Sequence, residues 1–153
     1  MKLFWKTFLD FLFPQTCLGC GVSRTLLCVA CVFSIPKARP LEQDFIYALY
    51  DYRHPLAKRA VWNLKYKNYR DVAECFGAGL FEEIIVTLNE ELLVSPSEKP
   101  ILIPIPLHKR RLCERGYNQS ELIAKAIMKH AKQETFELLT TTLVRTKNTR
   151  PQA

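Results

Sequence analysis

The sequence predicts an α/β domain with a partly parallel sheet, headed by a small four-cysteine knuckle. Three observations carry this reading. Two CxxC pairs, Cys17/Cys20 and Cys28/Cys31, lie close together near the N-terminus. The run ILIPI (101–105) is short and wholly apolar, the character of a strand buried in a parallel sheet. Segments of helical period lie on both sides of that run, the alternation expected when helices cover a sheet. The expected boundaries are 1–36 for a leading helix with the knuckle and 44–153 for the α/β domain.

The chain has 153 residues, of which 48% are hydrophobic, enough for a real core and too many for a disordered chain. Its formal net charge is +7. A surplus of that sign suits polyanions such as nucleic acid, phosphorylated small molecules or an anionic membrane face, and does not choose among them. The charge is uneven. Six basic residues and no acidic one fall between Arg53 and Arg70, whereas Asp71 to Glu98 holds seven acidic residues and no Lys or Arg. Ordinary solvated helix faces account for such blocks as readily as a binding surface does.

The elements follow in order. Residues 3–13 read as an amphipathic helix, with Leu3, Phe4, Phe8, Leu9, Phe11 and Leu12 on one face, Lys6, Thr7 and Asp10 opposite, and Pro14 ending it. Such a helix docks on its own domain, on a partner, or on a membrane surface. It lacks a small-residue cleavage site, and no run approaches the roughly 20 apolar residues that span a bilayer. The reducing cytoplasm is therefore the expected compartment, with peripheral attachment at the inner membrane left open. Pro36 to Pro40 reads as a linker, and the aromatic stretch Asp44–Tyr52 as a strand. Pro55 opens a helix to about Tyr66, with Leu56, Ala57, Ala60, Val61 and Leu64 on its apolar face. A second helix, about 71–93, presents Ala73, Phe76, Gly77, Leu80, Phe81, Ile84, Leu88 and Leu92 at helical spacing. SPSEKP (95–100) is a loop, and a basic loop follows ILIPI to about Tyr117. The next helix starts with Asn118 and Glu121, spaced as a capping box with Asn as the cap. Ile123, Ala126, Ile127 and Ala131 are its core positions, and Phe136–Arg145 reads as a further strand.

Four thiolates in tetrahedral array satisfy Zn²⁺ with no open position. In CLGC and CVAC, two intervening residues let both sulfurs of a pair face one point, and Gly19 and Gly21 suit the turn. Cys17, Cys20, Cys28 and Cys31 are thus the candidate ligands of one structural zinc, with two disulfides or free thiols as the alternative. The short spacing between the pairs implies a knuckle with almost no core of its own. Cys75 and Cys113 stand apart and read as plain buried or half-buried thiols.

In an α/β sheet, ligands gather where a strand's carboxyl end meets the next helix. Here that place carries Lys109, Arg110, Arg111, Arg115 and Gly116, an expected site for phosphate or pyrophosphate. Separately, Lys58, Trp62, Lys65 and Tyr66, with Tyr69 beyond, interleave cations and rings on one helix side. That suits single-stranded DNA, since cations track phosphates and rings stack on bases. Packing of Trp62 and Tyr66 under the knuckle explains the rings equally well.

Five features in order resemble the ComF/GntX family of phosphoribosyltransferase-like proteins. They are the apolar leading helix, CLGC…CVAC, LKY (64–66), IPIPLHKRRLCERGYNQS (103–120) and LVRTKNTRPQA (143–153). The resemblance spans essentially the whole chain. It implies a type I phosphoribosyltransferase fold, which binds phosphoribosyl pyrophosphate with Mg²⁺ and lets a nucleophile displace the pyrophosphate. It also implies pyrophosphate contacts from the 107–119 loop, bringing in Asn118 and Gln119, and a covering loop from about 143 onwards. Family association implies a link to DNA uptake and to competence proteins as partners. Members continue to a strand ending in two acidic residues and a Thr-Thr-Gly loop, which cradle the ribose and its 5′-phosphate. This chain has neither feature, so the resemblance implies the N-terminal half of such a domain. Mg²⁺ and phosphoribosyl pyrophosphate are then expected only when the rest is supplied, and no catalytic residue is assigned. A zinc-containing DNA-binding or protein-interaction accessory factor is the alternative.

Overall fold

Residues 15–39, 46–92, 99–131 and 135–149 are described by the structure, a computed structural model. The leading helix expected over 3–13, most of the 95–100 loop and the last residues of the basic tail lie outside the described residues. The chain divides into two compact units, Met1–Asn63 and Leu64–Ala153.

The described part of the first unit opens on a turn tied by the bridge Thr16–Ser23 and by Cys17 N–H donating to the Val22 carbonyl at 2.8 Å. Gly21, at φ +77°, and Arg24, at φ +73°, take the left-handed backbone that reverses the chain. A short helix α1 (Val29–Phe33) follows, with Cys28 at its N-cap. Leu26, Leu27 and Ile35 are buried, so the knuckle has apolar neighbours where almost none were expected. Gly19 is needed for space rather than for φ. A Cβ there would lie 2.5 Å from Cys31 Sγ and 3.1 Å from Leu56 Cδ2.

The expected linker and the expected strand both change character. Pro36–Arg39 is extended and bonded: Lys37 bridges Tyr50 antiparallel, and Asp51 N–H donates to the Pro36 carbonyl at 2.9 Å. Among the described residues the 44–52 stretch keeps only that bridge. Its aromatic content favours a pleated, half-buried surface, yet Ile46, Tyr47 and Tyr52 stay exposed with one short partner segment. Asp51 closes the turn before the next helix. Its carboxylate accepts from the Arg53 backbone and guanidinium, which holds its pKa down at about 2.

Helix α2 (Pro55–Tyr66) has the limits that its sequence indicates. Pro55 stands at the first helical position, where its missing N–H costs nothing. Leu56, Ala57, Ala60 and Leu64 are buried. Asn68, at φ +60°, follows the last turn in the left-handed conformation that ends helices.

In the second unit, α3 (Val72–Leu92) and α5 (Gln119–His130) lie along each other. Val72, Ala73, Phe76, Ala124, Ala126 and Ile127 are buried there. Gly77 permits the close approach, because a Cβ on it would stand 2.4 Å from Ala126 Cβ. Phe81 meets Phe136 edge to face, with ring centroids 6.4 Å apart. Two strands, β1 (Ile101–Leu102) and β2 (Glu137–Leu138), pair in parallel, with Ile101 opposite Glu137 and Leu102 opposite Leu138. Among the described residues the class is thus mixed: helices with a small two-stranded parallel sheet.

ILIPI was expected to be buried throughout, but Ile101 is 55% and Ile105 68% exposed. Pro104 and Pro106 supply no ladder N–H, so pairing cannot run on past Leu102. The strand expected over 136–145 likewise shortens to two residues, closed by Leu139 N–H donating to the Leu102 carbonyl at 3.1 Å. The basic loop is largely helical instead. Helix α4 (Lys109–Arg115) is capped by His108, whose ring accepts from Arg110 N–H at 3.3 Å, and ended by Gly116 at φ +79°.

Candidate metal centre and basic cleft

The four predicted cysteines converge. One sulfur from each of Cys17, Cys20, Cys28 and Cys31 lies within 4.8 Å of all the others. Cys20 and Cys28 sulfurs are 3.6 Å apart. Four sulfurs held about 2.3 Å from one ion stand about 3.8 Å from each other, so the spacing suits a tetrahedral site. The donor set could hold a metal ion such as zinc.

Local backbone explains the convergence. The CLGC turn brings Cys17 and Cys20 together, and Cys28 and Cys31 flank the first turn of α1. Cys17 Sγ is buried and accepts from Gly19 N–H at 3.4 Å and from Cys28 N–H at 3.3 Å. Burial pushes the Cys17 thiol up. Backbone N–H groups of Cys28, Cys20 and Gly19 and the Cys31 thiol outweigh burial and bring it down to about 6. Cys31 is pushed up to about 12, first by its bond to Cys28, then by burial and the other two sulfurs. Cys17 is thus the sulfur favoured as a thiolate, while Cys31 holds its proton more tightly. Arg59 clamps the turn by donating to the Leu18 carbonyl at 2.7 Å. Cys75 is half-buried, whereas Cys113, expected to be covered, is exposed on α4. Helix α4 has no buried residue and so offers no core for it.

The second unit holds a cleft of about 490 Å³ lined by Lys65, Tyr66, Asn68, Arg70, Arg111, Glu114, Arg115 and Tyr117. Two groups of candidates that the sequence kept separate meet here: Lys65 and Tyr66 from the DNA-binding set, Arg111 and Arg115 from the phosphate set. Arg115 lies over the Tyr66 ring, 5.4 Å from its centroid, and also donates to the Gln119 side chain. Lys65 has its pKa lowered, first by burial and then by the charge of Arg115. Arg111 donates to the Thr149 carbonyl. Glu114 is the carboxylate in the wall, and it pairs with Arg110 at 3.0 Å.

Other candidates take different places. Lys109 is exposed at the first position of α4, and Arg110 is exposed beside Glu114. Gly116 ends α4 and Asn118 caps α5, its Oδ1 accepting from Ser120 N–H at 3.1 Å while its Nδ2 donates to the Ile105 carbonyl. Glu121, the expected return half of the capping box, pairs with Lys125 at 2.6 Å. Lys58 is exposed, and Trp62 and Tyr66 are 49% and 55% exposed rather than packed away.

Sequence reasoning missed Arg70, Asn68 and Tyr117. Arg70 is held by Asn68 Oδ1 at 2.8 Å and by the Tyr117 ring, 4.6 Å away. Tyr117 is itself buried and donates its hydroxyl to the Leu64 carbonyl, one of the last-turn acceptors of α2 without a helical partner. The signal was present: Asn two residues past a helix is a left-handed stop, and such a stop turns the next cation back toward the helix end.

Among the described residues, no helix is long and apolar enough to cross a membrane. No family model, curated protein or solved structure matches the chain.

Proposed function

We propose that the protein is a zinc-stapled, phosphoribosyltransferase-like member of the ComF/GntX type, whose basic cleft binds the phosphate groups of a phosphorylated ligand. The four-sulfur cluster supports zinc as a structural ion. The observation that carries the rest is the approach of Lys65 and Arg115, with Arg70 and Arg111 in the same walls. Like charges held together cost Coulomb energy, which a di- or trianion relieves. Phosphoribosyl pyrophosphate with Mg²⁺ is the ligand that the sequence resemblance suggests, and DNA uptake in the bacterial cytoplasm is the process. Calorimetric titration with pyrophosphate and with Mg²⁺-phosphoribosyl pyrophosphate tests the cleft. Arg115→Ala should weaken binding by about tenfold to a hundredfold, the worth of a hydrogen bond to a charged group. Equal affinity in wild type and Arg115→Ala would refute the assignment.

The exposed Tyr66 ring beside Arg115 favours a second reading, single-stranded DNA along the same cleft. Four phosphate contacts would produce a log–log salt slope of about −3 on single strands. Tyr66→Ala should weaken binding at every salt concentration, because a stacked base contributes about 1–3 kcal/mol. Arg111→Ala should instead flatten the slope. Salt-independent affinity, or none at low salt, would end this reading.

A further inference from the structure

We propose that the cysteine cluster is a peroxide-sensitive latch, in which oxidation joins Cys20 to Cys28 and discharges the metal. The proposal rests on the zinc reading above. Access to the four sulfurs is unequal: Cys17 is buried, Cys28 and Cys31 are half-buried, and Cys20 is exposed. Backbone N–H groups also cover the Cys17 sulfur. A small oxidant therefore reaches Cys20 first.

Its resolving partner is already placed. Cys28 Sγ lies 3.6 Å from Cys20 Sγ, and a disulfide needs about 2.05 Å, so the sulfurs close by about 1.5 Å. That closure falls to the Cys20 and Cys28 side chains and to the backbone at Gly21, beyond the Leu18 carbonyl that Arg59 holds. Gly21, directly after Cys20, takes a left-handed φ and has nothing within 4 Å of where its Cβ would be. Cys31 sits inside α1 and Cys17 is fixed by its N–H donors, so neither moves as freely.

The chemistry balances with hydrogen peroxide as oxidant. The Cys20 thiolate attacks one peroxide oxygen, the O–O bond breaks, and a sulfenic acid and hydroxide form. The Cys28 thiolate then attacks the Cys20 sulfur, the S–S bond forms, and a second hydroxide leaves. Two protons convert both hydroxides to water. The cysteines lose two electrons and the peroxide gains them. Cys17 and Cys31 remain as a two-sulfur remnant, too few ligands for a structural zinc.

The test uses the full chain with Cys75→Ser and Cys113→Ser, so that the exposed Cys113 thiol does not react. Zinc is first measured in the reduced protein, and hydrogen peroxide is then added with a chromophoric chelator present. Loss of zinc in step with one disulfide, mapped by mass spectrometry to Cys20–Cys28 and reversed by dithiothreitol with added zinc, is the expected result. Zinc retained in excess peroxide overturns the latch and leaves the zinc reading standing. A map showing Cys17–Cys20 or Cys28–Cys31 also overturns it. Reduced protein without zinc overturns the zinc reading and the latch together.

Discussion

Cys17→Ser is expected to leave the Met1–Asn63 unit without its metal and without its fold. Cys17 is the buried corner of the cluster, and its sulfur accepts from Gly19 and Cys28 N–H groups. A serine oxygen is a neutral, poorer ligand, and it is too short to keep both N–H bonds. Structural zinc contributes about 10–16 kcal/mol to such sites, against about 5–15 kcal/mol for the whole stability of an ordinary domain. Leu26, Leu27 and Ile35, with Leu56, Ala57 and Ala60 of α2, are a small core and do not replace that. Elemental analysis should fall from about one zinc per chain to near none. Loss of the unit's amide protection in hydrogen exchange should accompany it. A Cys17→Ser protein that keeps both would refute the structural role.

Gly77→Ala should destabilise the second unit although alanine is the better helix former. The gain in propensity is about 1 kcal/mol. Against it, the new methyl would stand 2.4 Å from Ala126 Cβ, 2.9 Å from the Ala126 carbonyl carbon and 3.0 Å from Ile127 N. Two of those three atoms are backbone, so α3 and α5 must separate and the buried faces around Phe76 and Ile127 loosen. Overpacking of this kind costs about 1–3 kcal/mol, and the wider separation raises the loss toward the top of that range. The melting temperature should fall by about 4–8 °C for each net kcal/mol lost. Ala126→Gly in the same chain should recover part of the loss, because it removes the nearest methyl. A Gly77→Ala protein that melts at or above wild type would show that the helices already have room.

Local rules read some elements well. The limits of α2 follow from Pro55 and from the spacing of Leu56, Ala60 and Leu64, and the cap of α5 follows from Asn118. The cysteine spacing marks the convergence of all four sulfurs, because each pair needs only its own turn. What depends on distant partners was harder. ILIPI has the composition of a buried strand, but burial requires neighbours on both faces and prolines that do not interrupt the ladder. The basic run reads as a loop because cations dominate it, whereas the His108 and Gly116 caps make it helical. Lys65 and Arg115 are fifty residues apart in sequence, and no periodicity brings them together. The Tyr117 hydroxyl on the Leu64 carbonyl does so.

The helix stops at Asn68 and Gly116 separate the residues that hold the second unit together from the cations that line its cleft. Val72, Phe76, Ala126 and Ile127 lie on the inner faces of long helices, while Arg70, Arg111 and Arg115 lie on helix ends or just beyond them. Changing one of these cations leaves the buried residues of the α3–α5 contact as they are. The charge of the cleft can therefore change by single substitutions with little loss of core packing. Tyr117 serves both purposes: its ring holds Arg70 and its hydroxyl ties the cleft to the end of α2.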